Sequence, residues 1–154
     1  MRWRCVWSLL ICLAIWGVIV RPAAALRGQT IVVPVYSHVY HGDKERPFLL
    51  AATAALRNAD LRQSITITAV DYHDSQGRLV RSLAPEPILL GPLASVRFVI
   101  PESDASGGSG ASCVVRWQAD ADVAAPVAEA VMIGTRSSQG ISFVTSGRVI
   151  EEIQ

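Results

Sequence analysis

The chain has 154 residues, with 14 Lys and Arg against 13 Asp and Glu, and 18% of its residues are charged. Near-neutral charge without a basic cluster lacks the phosphate-binding footprint of a nucleic-acid protein. The length suits one domain.

The first 25 residues have the parts of a secretory signal peptide. Arg2 and Arg4 give a positive start, Cys5 to Val20 run apolar with only Ser8 and Gly17 interrupting, and "RPAAA" places small residues at 23 and 25. A positive start, an apolar stretch and an A-x-A site together mark such a peptide. The apolar run of 16 residues is shorter than the roughly 20 that span a bilayer. Cleavage between Ala25 and Leu26 is therefore expected, rather than retention as an anchor, and no stable membrane span remains after it. Leu10 and Ile11 ahead of Cys12 argue against lipoprotein processing.

Residues 26–154 are then expected as a single exported domain, periplasmic or secreted. Without Arg2, Arg4 and Arg21 they hold 11 basic side chains against 13 acidic ones, a net of −2. Such a chain buries about two thirds of its unfolded surface and needs no staples. Cys113 is its only cysteine, so it makes no internal disulfide, and a lone thiol of this kind is expected to be buried as a small hydrophobe.

Period-2 patterns recur along this domain. Ile31, Val33, Val35 and Val39 alternate with Val32, Pro34, Tyr36, His38 and Tyr40; Leu50, Ala52, Ala54 and Leu56 alternate with their neighbours; "SITITA" (64–69) sets isoleucine against Ser and Thr. Val96, Phe98 and Ile100 follow, then Cys113, Val115 and Trp117, then Val127, Val131 and Ile133, and finally Ile141 and Phe143. Alternation of this kind predicts half-buried antiparallel strands. "DSQG" (74–77) and "SSQG" (137–140) suit hairpin turns that end in a left-handed glycine. "SDASGGSGAS" (103–112) reads as a flexible loop, and "LAPEPILLGPL" (83–93) as irregular chain crossing between sheets. "VAEAVMIG" (127–134) has helical features but is short and β-branched at its end, so it is taken as a strand. The expectation is an all-β fold, an immunoglobulin-like antiparallel β-sandwich of about seven to nine strands. Pro34 inside its strand suggests an edge.

Few stretches carry chemistry. "YSHVYHG" (36–42) offers His38 and His41, and "DYHD" (71–74) adds His73 between Asp71 and Asp74. These are enough ligand types for zinc or copper. On one continuous strand, however, His38 points with Tyr36 and Tyr40 while His41 points the other way with Val39. They share an ion only if a bulge near Gly42 turns His41. Tyr36 and Tyr40 suit a stacked sugar, although such a pair is more often cross-strand packing. Asp71 and Asp74 read as turn residues with local backbone bonds. "GGSGA" (107–111) approaches the G-x-S-x-G elbow of hydrolases, but that elbow needs a preceding strand, a following helix and a later histidine. Here a strand follows, and all three histidines come earlier. Glu129 falls on the apolar face of its expected strand, a charge with no evident partner.

Together, "GQTIVVPVYSHVYHG", "AVDYHDSQGRLVRSL", "LGPLASVRFVIPESDASGGSGASCVVRW" and "AEAVMIGTRSSQGISFVTSGRVI" resemble an uncharacterised bacterial family, domain of unknown function 3124. The likeness runs from about residue 28 to 150. It implies a small exported protein of one domain and brings no activity, cofactor or binding residue to any position.

The functional expectation is a periplasmic interaction or structural module with an unknown protein or envelope partner. No catalytic residue, cofactor or nucleic-acid partner is expected. The alternative is a periplasmic metal-binding protein using His38, His41 and His73.

Overall fold

Strong alternation turns into strands wherever the computed structural model describes the chain, residues 26–136 and 139–153. Residues 1–25, where a signal peptide is expected, Ser137 and Ser138 of the expected "SSQG" turn, and Gln154 lie outside the described residues. In chain order the strands are β1 (Leu26–Pro34), β2 (His38–His41), β3 (Arg46–Leu49), β4 (Ala51–Arg57), β5 (Ile65–His73) and β6 (Leu79–Ser82). After them come β7 (Ile88–Leu90), β8 (Ser95–Ile100), β9 (Ser112–Val123), β10 (Val127–Arg136), β11 (Gln139–Ser146) and β12 (Arg148–Ile153). The fold is all-β and antiparallel, with no helix among the described residues.

One sheet runs β12-β1-β9-β5-β6, with β7 also on β5; a second runs β11-β10-β4-β8; β2 and β3 pair with each other. Apolar residues of both larger sheets join in one core. Ile31, Val33, Ile65, Ile67, Cys113, Val115 and Trp117 come from the first sheet, and Ala52, Ala54, Leu56, Ile100, Ala130 and Met132 from the second. Each fully buried Ile or Leu contributes about 1.5–3 kcal/mol, which is why these alternations hold their register.

The strands outnumber the seven to nine expected. The pattern over 31–41 is broken into β1 and β2, that over 48–57 is broken at Leu50, and the proline-rich 83–93 contains β7 on β5. Pro34 does not mark an edge strand, because β1 lies between β12 and β9. Pro34 is the last residue of β1, past the final β12 pair at Val32 and Arg148. Its missing N–H therefore falls where no neighbour requires it.

The face of β10 is the reverse of the expected one. Ala128, Ala130 and Met132 are buried, while Val127 and Ile133 are 46% and 51% exposed. Steric room decides this. A Cβ on Gly134 would come within 2.5 Å of the Phe48 ring and 2.6 Å of the Leu49 carbonyl oxygen, so only the Ala/Met/Gly face approaches the core closely. A one-residue slip exchanges the whole face, and close packing outweighs the count of β-branched residues.

Candidate functional site

The stretch "YSHVYHG" leaves the first sheet at a built junction. Val35 N–H donates to the Ala111 carbonyl at 2.9 Å and Ser37 N–H to the Gly108 carbonyl at 3.1 Å, while Leu50 N–H donates to the Ser37 carbonyl at 2.9 Å. The Ser37 hydroxyl, itself buried, also donates to Gly108 O at 3.1 Å. With its hydrogen bonds taken by these loops, the chain departs from β1 and begins the β2–β3 hairpin. His38 pairs with Leu49, Val39 with Phe48, Tyr40 with Pro47 and His41 with Arg46. Gly42 (φ 68) and Glu45 (φ 47) close the turn in the left-handed region, which glycine enters without a Cβ penalty.

The two histidines part company on this hairpin. His38 meets Tyr40, with Nε2 3.2 Å from the hydroxyl and the rings edge to face at 5.1 Å. His41 instead sets its ring against Phe48 at 6.1 Å. His38 Nδ1 lies 3.2 Å from Ser37 Oγ, giving a Ser37–His38–Tyr40 line that strand alternation alone did not disclose. The serine has one proton. With that proton on Gly108 O, Oγ accepts from His38 Nδ1–H, and Nε2 accepts from Tyr40. In that arrangement the Ser37 hydroxyl clamps the hairpin to the glycine loop through Gly108 O. A solvent-open depression of about 270 Å³ at the hairpin tip is lined by His41, Gly42, Asp43, Lys44 and Arg46.

His73 stands elsewhere, at the end of β5, with Nδ1 3.2 Å from the Gly77 carbonyl. The structure does not bring His38, His41 and His73 together. Among the described residues no three His, Cys, Asp or Glu side chains form a metal-binding group. Of the two nearby carboxylates, Asp74 holds its turn as expected, accepting from Gln76 N–H, Arg78 N–H and Arg78 Nε. These bonds, the Arg78 backbone bond first, hold its carboxyl below the usual range. Asp71 departs from that expectation, because it forms an ion pair with Arg116 at 2.8 Å.

The glycine loop is tied down rather than free. Ser75 N–H and Oγ both donate to the Gly107 carbonyl, at 2.9 and 3.0 Å, and Gly110 N–H donates back to Ser75 Oγ at 2.9 Å. Arg81 pairs with Asp104 at 2.6 Å and lies 5.3 Å over the Tyr72 ring. Burial opposes ionisation of Asp104, but bonds from Ser106 and Arg81 prevail and hold its carboxyl low. Burial raises the Tyr72 phenol above its ordinary value, and the Asp104 charge adds to the shift. Beneath the loop, burial pushes the Cys113 thiol up to about 12. Three stretches distinct in the sequence, "YSH", "DSQG" and "SGGSGA", thus meet at one end of the molecule.

The outer faces of the two larger sheets differ in kind. The middle of the first carries the Arg116–Asp71 pair, Thr68 Oγ1 on Arg116 O and Thr30 Oγ1 on Glu151, with Leu89 of β7, opposite Thr66, 73% exposed toward its margin. The second presents a row of register partners, Val99, Thr53, Val131 and Val144, of which Val99 and Val144 are 53% and 59% exposed. Ile133 extends that row along β10, while Glu129 separates Val127 from it.

An all-β domain of antiparallel sheets, with a clamped hairpin and a valine-rich row across one outer face, is the class these features define. The chain belongs to the family described as "Protein of unknown function (DUF3124)", whose model matches residues 28–150. No curated protein matches the chain. Among solved structures it is similar to "Crystal Structure of Thermotoga maritima 1070", at 8% identity over 84% of this chain and 99% of that chain. The TM-score is 0.48.

Proposed function

We propose that the chain is an exported immunoglobulin-like β-sandwich, processed between Ala25 and Leu26, that serves in the periplasm as a non-catalytic interaction or structural module. The unlike outer faces of its sheets carry this reading. An antiparallel sheet facing water alternates apolar-in and polar-out, as the central strands β5 and β9 of the first sheet do with Arg116, Asp71 and Thr68. The second sheet instead exposes Val99, Val144 and Ile133 around the Thr53–Val131 pair, with Glu129, Arg57 and Arg97 beside them. Contiguous apolar surface on a soluble domain marks a contact site.

A photo-crosslinking side chain placed in living cells at Val99 or Val144, and at Gln118 on the first sheet as a control, tests the reading. Capture of protein from the first two positions and none from Gln118 is the expected result. Indifference between the faces would sink it. N-terminal sequencing of the exported protein is expected to begin "LRGQT".

A further inference from the structure

We propose that the outer face of the second sheet is the interface of a two-fold dimer, closed by Glu129 of each copy against Arg57 of the other. This rests on the reading of the chain as an interaction module and names the partner, a second copy.

The reversed register of β10 carries the argument. It moves Glu129 out of the core and onto the outer face, opposite Ala55 of β4 and Ser146 of β11. Arg57 and Arg97, both exposed, stand on the same face, with Arg57 opposite Val127 and Arg97 opposite Ala55. None of these three charges belongs to an ion pair among the described residues. A two-fold axis along the strands, between β4 and β10, lays β10 of one copy over β4 of the other. Glu129 then sits above Ala55, two residues from Arg57, a distance of about 6.6 Å along a strand that a guanidinium spans. Symmetry makes the contact twice. The same operation places Val144 over Val99 and Val131 over Thr53, so apolar row covers apolar row. An unrelated partner would have to bring its own acid and its own base; a second copy supplies both.

The size of the face sets the strength. Four strands at about 4.8 Å spacing and about seven residues at 3.3 Å give roughly 440 Å² per copy. Two such faces fall at the low end of specific interfaces, which means a weak, reversible dimer.

The test is a charge swap followed by sedimentation. Wild-type exported protein is expected to dimerise with rising concentration, and Glu129→Arg and Arg57→Glu each to remain monomeric. An equimolar mixture of the two variants is expected to dimerise again, because both contacts then join opposite charges. Mixing cannot repair a defect internal to either chain, and it requires both variants to be folded. A mixture that stays monomeric while wild type dimerises would overturn the assignment. So would a dimer indifferent to both reversals, which would place the contact elsewhere, for instance at the uncharged β11 edge. A wild type monomeric at every concentration overturns it as well. If Val99 and Val144 then capture a different protein in cells, the module reading survives alone; if they capture nothing, both fall.

Discussion

Gly107 lies so close beneath Tyr72 that a Cβ on the glycine would overlap the phenolic oxygen, and it would stand 2.7 Å from the Ala111 Cβ. The loop therefore approaches β5 only because residue 107 has no side chain. Gly107→Ala is expected to cost about 1–3 kcal/mol, the usual range for overpacking. It should appear as a lower urea midpoint with an unchanged slope. Adding Tyr72→Phe removes the nearest atom of the clash and should recover part of the loss. The Tyr72 hydroxyl has no well-aligned partner among the described residues, so Tyr72→Phe alone should cost little. No recovery in the double variant would mean that the loop is not seated on Tyr72.

Asn58 is fully buried where β4 ends. Its Nδ2 donates to the carbonyls of Gln63, Leu90 and Gly91 at 2.8, 3.1 and 3.0 Å, and its Oδ1 accepts from Asp60 N–H at 2.9 Å. Asn58→Ala is expected to cost about 3 kcal/mol, since each orphaned buried group loses roughly 1–3 kcal/mol. Asn58→Asp should be worse at neutral pH, because it sets a carboxylate against three carbonyl oxygens. Protonation relieves that repulsion, so this variant should gain stability relative to wild type as pH falls. Urea unfolding at two pH values reads both effects.

The faces of β9, of β5 up to its bulge after Ile67, and of β1 from Ile31 onward were legible in the sequence because one long-range term, apolar burial, fixed every second side chain there. Where two terms competed, the pattern misled. In β10 the β-branched residues pointed to one face, and the room beside Gly134 selected the other. The junction at Ser37 was hidden for a different reason. Its partner, Gly108, is 71 residues away, and no local signal announces a hydrogen bond closed over that distance. The glycine loop looked flexible because composition records what a backbone is free to do. It does not record that Ser75 and Tyr72 hold it. Asn58 went unremarked, since a single Asn at a strand end has no periodicity to betray burial.

Cys113 is fully buried, and burial pushes its thiol from an ordinary 9.0 up to about 12. A disulfide-exchange reagent should label it slowly in native protein and fast in urea, since the thiolate is the reacting form. The shift also has a stability consequence. Above the ordinary thiol value the unfolded chain gives up its proton while the folded chain keeps it. The stabilisation present below pH 9 is thus lost as pH rises toward 12, by up to about 1.4 kcal/mol per pH unit. The alkaline slope should be shallower in Cys113→Ala. Equal slopes, or rapid native labelling, would mean that the thiol is exposed and that the β9 register is off by one.

His38 and His41 are divided by the alternation of β2, one ring against Tyr40 and the other against Phe48. Both nitrogens of His38 are already engaged, by Ser37 and Tyr40. A shared ion would have to break this line and turn His41 around the strand. Purified protein should therefore bind Zn²⁺ no better than the His38→Ala, His41→Ala double variant does. A true two-histidine site would lose several kcal/mol when both ligands go, and each 1.4 kcal/mol is a factor of ten in affinity. Titration calorimetry at mildly alkaline pH, above the ordinary range of imidazole protonation, resolves a difference of that size. A sub-micromolar site that vanishes in the double variant would mean that the chain bulges before Gly42 when metal is present. The hairpin would then be a metal centre, and His41, already on the wall of the depression at its tip, would be the ligand that turns.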